Sequence, residues 1–230
     1  MTRIELYDTT LRDGSQREGI TFSTTDKLNI ARKLDDLGID YVEGGFPGSN
    51  PKDVEFFRRA AAMAWSHAKI VAFGGTRHKD LTCGHDPNML ALREAGTRVY
   101  CIVAKSSVFH VREILETTLD ENLRMIADSV RFLKETGAEV IFDAEHFFDG
   151  ARLDTDYAIR ALLAAAAAGA DCVVLCDTNG GSLPDDVSAL TRRAREALPG
   201  HVRIGIHAHV AIDLGTANTL AGVQNGATHV

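Results

Sequence analysis

The chain has 230 residues, 45% hydrophobic and 25% charged, with a mean hydropathy of −0.08, which is the composition of an ordinary globular domain. Its 25 basic and 32 acidic residues leave a net charge of −7, which excludes roles that need clustered positive charge, such as coating nucleic acid or holding an anionic membrane. No apolar run reaches the roughly 18 residues needed to cross a bilayer, and the start, MTRIELYD, lacks the apolar core of a signal peptide. A cytoplasmic protein with one large core is expected, spanning 1–230 as a single domain.

Strand-like runs fall at 4–8, 39–43, 69–73, 98–103, 139–143, 172–176 and 202–207. Helical patterns lie between them at 24–37, 51–65, 86–95, 119–136, 154–168, 184–198 and 213–225. Thr24 or Thr25 is placed to cap the first helix, and the pairs Leu37–Gly38, Thr136–Gly137 and Ala168–Gly169 close others. Strand–helix alternation at this spacing calls for a parallel sheet covered by helices, either an open doubly wound sheet or a closed barrel. No G-x-G-x-x-G follows the first strand, which disfavours the dinucleotide-binding open sheet. Polar residues follow many strands instead: Arg12 and Asp13, Glu43, Glu145, Asp177 and Thr178, His207 and His209. Convergence from the C-terminal ends of several strands is what a TIM (β/α)8 barrel provides.

Seven βα units are countable, and residues 227–230 read as the start of an eighth strand. The fold expected is therefore an α/β TIM barrel truncated after seven units and the start of strand eight. On that count the first and seventh strands lack their shared neighbour, which predicts unpaired edges and self-association.

The four cysteines read as free thiols. Cys101, Cys172 and Cys176 lie in apolar strand-like runs and Cys83 in a polar loop. Cys172 and Cys176, four residues apart on a strand, are separated by about 13 Å, too far for a disulfide.

His207-Ala208-His209 ends the seventh strand. Residues i and i+2 of a strand face the same side, so both imidazoles face one site and form half of a metal centre that a carboxylate would complete. In a closed barrel strands one and seven are separated only by the eighth, which brings Asp13 within reach. The donors are hard or borderline, so Mg²⁺ or Mn²⁺ is expected, with Zn²⁺ the alternative. Arg12, next to Asp13, can stabilise an oxyanion or enolate with its permanent charge. Among the other histidines, His67, His78, His110 and His201 lack paired ligands, while His85 and His146 lie near the mouth.

Five segments, in order, carry a resemblance: DTTLRDGSQ, VEGGFPGSNPKD, FDAEHFFDG, LCDTNGGSLP and GIHAH. Together they resemble the DRE-TIM metallolyase superfamily, and within it the 2-isopropylmalate, homocitrate and citramalate synthases. EGGFPGSNPKD and DAEHFFDG look most like the citramalate branch. The resemblance implies a Claisen-type acyltransferase that joins acetyl-CoA, as co-substrate, to a 2-oxo acid such as pyruvate on a divalent metal cation. Carried over by position, Asp13, His207 and His209 are the metal ligands, Arg12 the oxyanion stabiliser and Glu145 the acid/base group. Thr178 holds the substrate carboxylate, and Gln16 and Glu43 shape the pocket. Its partners are then small molecules, not nucleic acid or membrane, with a homodimer for the full-length form.

The sequence departs from that pattern after the seventh strand. The synthases read H-x-H-N-D, whereas Val210 and Ala211 stand here in place of the Asn-Asp pair. The asparagine ligand expected after strand eight falls beyond Val230. Two other readings share these motifs: a retro-aldol enzyme of the HMG-CoA lyase type, and a paralogue that keeps the fold without turnover.

Overall fold

A computed structural model describes residues 3–230. Seven parallel strands lie side by side in chain order: β1 (Tyr7–Asp8), β2 (Tyr41–Gly45), β3 (Lys69–Gly75), β4 (Val99–Lys105), β5 (Glu139–Glu145), β6 (Cys172–Asp177) and β7 (Arg203–Ala208). Helices cover the outside: α1 (Thr24–Leu37), α2 (Pro51–Ala60), α3 (Pro87–Glu94), α4 (Val108–Glu113), α5 (Leu119–Lys134), α6 (Phe147–Leu153), α7 (Thr155–Ala167), α8 (Pro184–Ala197) and α9 (Gly215–Gln224). No helix among the described residues is long and apolar enough to cross a membrane.

The middles of strands β2 to β7 are buried on both faces, which is why those strands read as apolar runs. One alternating set, including Tyr41, Val71, Phe73, Cys101, Ile141, Cys172 and Val174, fills the barrel interior. The other, including Val42, Ala72, Ile102, Phe142, Leu175 and Ile204, packs under the helices. The interior floor is ionic. Arg203 sits between Glu5 and Glu139, and Glu139 also accepts from the Tyr41 hydroxyl at 2.8 Å and Lys69 Nζ at 2.8 Å.

The expected open edges are corrected by the last three residues. Residues 228–230 run parallel between β1 and β7 and bond to both. Tyr7 N donates to Val230 O at 2.7 Å and Val230 N to Glu5 O at 3.0 Å; on the other side Thr228 N donates to Ile204 O at 2.8 Å and Ile206 N to His229 O at 2.9 Å. The middle residue of this segment is an anchor. His229 is buried, with its ring 5.1 Å from both Tyr7 and Tyr41. Gly205 permits this approach, since a Cβ there would lie 2.9 Å from Val174 and 3.0 Å from His229. The ring is thereby closed at its N-terminal end, opposite the expected site.

Local signals set most helix limits, with three differences. Ser23, not Thr24 or Thr25, caps α1, in a reciprocal capping box with Asp26, and Gly38 ends it in the left-handed conformation. The helical pattern at 51–65 stops at Ala60, and the Trp65 indole returns to bond Ala60 O at 3.0 Å. The helices α4 and α6 were not anticipated, because each is under two turns and sits inside a βα loop. They are held together where Gly150 meets Ser106 and Ser107, at distances that leave no room for a Cβ.

Candidate active site

The C-terminal ends of β1, β2, β5 and β7 bring most of the expected groups to one mouth. After β1 the chain turns through a short 3₁₀ segment, Gly14–Gln16, stabilised by Gly14 N donating to Thr9 O at 3.0 Å. Arg12 and Asp13 lie on that turn above the buried Leu11.

Asp13, His207 and His209 come together with ligand atoms within 4.8 Å of one another. Asp13 Oδ2 is 3.5 Å from His207 Nε2 and 3.6 Å from His209 Nε2, and the two imidazoles stack with centroids 4.9 Å apart. The period-2 argument for a shared face is thus realised. The His207 contact, aided by Arg12, holds the Asp13 carboxyl down at about 2. Burial opposes charge on His207, but Asp13, Asp143 and Glu43 outweigh it and raise its pKa. His209 shifts downward, through burial and the neighbouring His207. A carboxylate and two imidazoles within this span are a donor set that suits a divalent cation.

Arg12 is fixed on three sides. Its Nε donates to Glu43, its Nη1 lies 3.4 Å from Asp13 Oδ1, and its guanidinium sits 4.0 Å over the Phe73 ring. Glu43 has no solvent exposure and also accepts from the Tyr7 hydroxyl at 2.6 Å. Burial raises its pKa despite Arg12. Glu43 is thus a buried side-chain partner of Arg12 and Tyr7.

Glu145 ends β5, two residues beyond Asp143 on the same inward face, and is paired with Lys105 of β4, its register partner. Thr178 is half-buried, and its Oγ1 accepts from His146 N at 2.9 Å, tying the loop after β6 to that after β5. Gln16 is exposed on the 3₁₀ segment, with its side chain in no hydrogen bond described. Asp177, polar in sequence, turns to the outer side and binds Ser182 Oγ at 2.9 Å. Val210 and Ala211 are both exposed just beyond the histidines.

Sequence reasoning missed three inward-facing groups here. Lys105 carried no motif, Asp143 was read only as part of a segment, and Cys176 was read as core. Period-2 counting back from Glu145 would have found Asp143, whereas Cys176 is reached only through the β6–β7 register that pairs it with His207. It also missed the stacking of His110 on His146, with centroids 3.9 Å apart.

A cavity of about 240 Å³ opens beside the cluster of Asp13, His207 and His209, lined by Tyr7, Thr9, Asp143, His207, Thr219 and His229 among others.

The architecture recurs in solved structures. The HMG-CoA lyase of Bacillus subtilis superposes with a TM-score of 0.80 over 100% of this chain and 76% of that one, at 19% identity, a likeness of fold alone. The HMGL-like family profile matches residues 3–230, and the chain belongs to that family, the DRE-TIM barrels. It is 49% identical over 228 residues, 99% of its length, to the (R)-citramalate synthase of Aquifex aeolicus, and 50% identical over 226 residues to that of Streptomyces coelicolor. The 2-isopropylmalate synthase 1 of Caldanaerobacter subterraneus is more distant, at 33% over 231 residues. The chain spans 43% and 42% of the two citramalate synthases it matches.

Proposed function

We propose that this chain carries the catalytic barrel of an acyltransferase that condenses acetyl-CoA with pyruvate to give citramalate. The observation that carries the reading is the cluster of Asp13, His207 and His209 with the fixed Arg12 at its edge. Identities of 45–50% to (R)-citramalate synthases over nearly the whole chain favour pyruvate over bulkier oxo acids.

Asp13, His207 and His209 would hold a divalent cation, which when bound supplies Lewis-acid polarisation of a carbonyl and neutralises a carboxylate. Arg12 is buried, fixed and always charged, so it meets negative charge developing on oxygen without first reorganising. Glu43 and Phe73 keep its fork from swinging away. Glu145 moves a proton at its carboxylate, and Lys105 orients it. Thr178 keeps its own O–H free to donate, because its oxygen accepts from His146, and that proton suits a substrate carboxylate. Gln16 completes the polar rim.

Calorimetric titration of pyruvate into the Mn²⁺-loaded protein, alongside 3-methyl-2-oxobutanoate and 2-oxoglutarate, tests the substrate. Thiol release from acetyl-CoA tests the reaction. Pyruvate is expected to bind tightest and to drive release. Preference for the branched oxo acid would move the reading to the 2-isopropylmalate class, and binding of none would overturn it.

A further inference from the structure

Beneath the hard-ligand cluster lies a second group of donors. Asp143 on β5, Cys176 on β6 and His207 on β7 bring ligand atoms within 4.8 Å of one another. They come from three adjacent strands: Cys176 is the register partner of His207, and Asp143 pairs with Val174, one inward position below Cys176. Asp143 and Cys176 are 7% and 5% exposed.

We propose that Asp143, Cys176 and His207 form a site for thiophilic divalent cations of the Zn²⁺ or Cd²⁺ class, and that its occupation denies His207 to the hard-cation cluster. Three features support it. A carboxylate, a thiolate and an imidazole are ligands that borderline and soft cations prefer and Mg²⁺ does not. The neighbouring cavity, which Asp143 and His207 line, has room for a water as fourth ligand. Donors around tetrahedral zinc lie about 3–4 Å apart, so side-chain rotations of about an ångström close the group.

Binding exchanges the Cys176 S–H proton, released to water, for a metal–sulfur bond, with no change of oxidation state. A buried thiol resists ionisation on its own, since burial pushes Cys176 well up, and a bound dication reverses that. A neutral imidazole has one free lone pair, so His207 serves one cation at a time. The competition rests on the reading of Asp13, His207 and His209 as the hard-cation site; the thiolate site itself does not.

Co²⁺ added to the reduced protein is the probe, because thiolate ligation gives a sulfur-to-cobalt charge-transfer band. The wild type should show the band. Cys176→Ser and Asp143→Asn should lose it or weaken Co²⁺ binding at least about tenfold, while Cys101→Ser keeps it. His209→Ala, which removes a hard-site ligand only, should keep the band while losing Mn²⁺ binding measured by electron paramagnetic resonance. Circular dichroism accompanies each variant, and Cys176→Ala replaces the serine if that change unfolds the barrel. Absence of the band in the wild type, or its survival in both Cys176 variants, would overturn the site. Retention of the band with unaltered Mn²⁺ binding in His209→Ala would overturn the hard-site reading instead. Co²⁺ and Mn²⁺ bound together at full occupancy would overturn the competition.

Discussion

Arg12 and Glu43 form an ion pair in which the carboxylate has no exposure to solvent and the guanidinium side chain only 11%. The carboxylate has no water as an alternative partner. The pair is therefore an orienting device as much as a stabilising one, since only a fully bonded Glu43 can aim Arg12 past Phe73 toward Asp13.

Removing one member should be costly. Glu43→Ala leaves the guanidinium buried without its partner and is expected to lower stability by about 3–5 kcal/mol. Urea unfolding followed by circular dichroism measures this. A loss below 1 kcal/mol would show that Arg12 finds another partner or water.

Arg12→Lys keeps the charge but loses the rigid fork and the Nε donor to Glu43. If Arg12 acts on charge that develops in the transition state, kcat for thiol release should fall about 10²–10³-fold with KM for the oxo acid nearly unaltered. An equal rise in KM with kcat intact would make Arg12 a ground-state binding group.

Deleting a ligand of the hard cluster should weaken Mn²⁺ binding while leaving the fold. His209, whose side chain is 39% exposed, is the mildest choice. His209→Ala should weaken Mn²⁺ binding beyond the roughly 10–100-fold typical of losing an outer partner. Calorimetry gives the affinity, and an unaltered melting temperature shows that the barrel is intact.

The floor of the barrel should set the acid limit. Glu5 is held down at about 2, from 4.5, by the facing His229 imidazole 3.9 Å away and by the Arg203 guanidinium. Its carboxylate binds fewer protons folded than unfolded, so its contribution is complete above about pH 4.5 and is lost as pH falls toward 2. Glu5→Gln should flatten the decline of unfolding free energy across that window. An unaltered slope would place the acid-sensitive group elsewhere.

Much of this protein is decided locally. Alternating apolar runs and helical patterns fix the number and order of the βα units, because period and capping act over a few residues. The histidine pair faces one side for the same reason: strand geometry places i and i+2 together whatever the surroundings. Arg12 and Asp13 in the loop after β1, and Glu145 at the end of β5, stand out in the sequence because a parallel barrel gathers polar groups beyond its strand ends.

Contacts between distant strands were decided only by closure of the ring. The sequence marks 227–230 as the start of a strand, but that residues 228–230 already bond both β1 and β7 depends on Gly205 making room and on His229 meeting Tyr7 and Tyr41. The partner of Glu145, the turn of Asp177 away from the mouth and the stack of His110 on His146 depend equally on how neighbouring strands and loops align. The chain specifies which face a side chain takes, but the register between strands, fixed by packing across the whole barrel, specifies what it meets there.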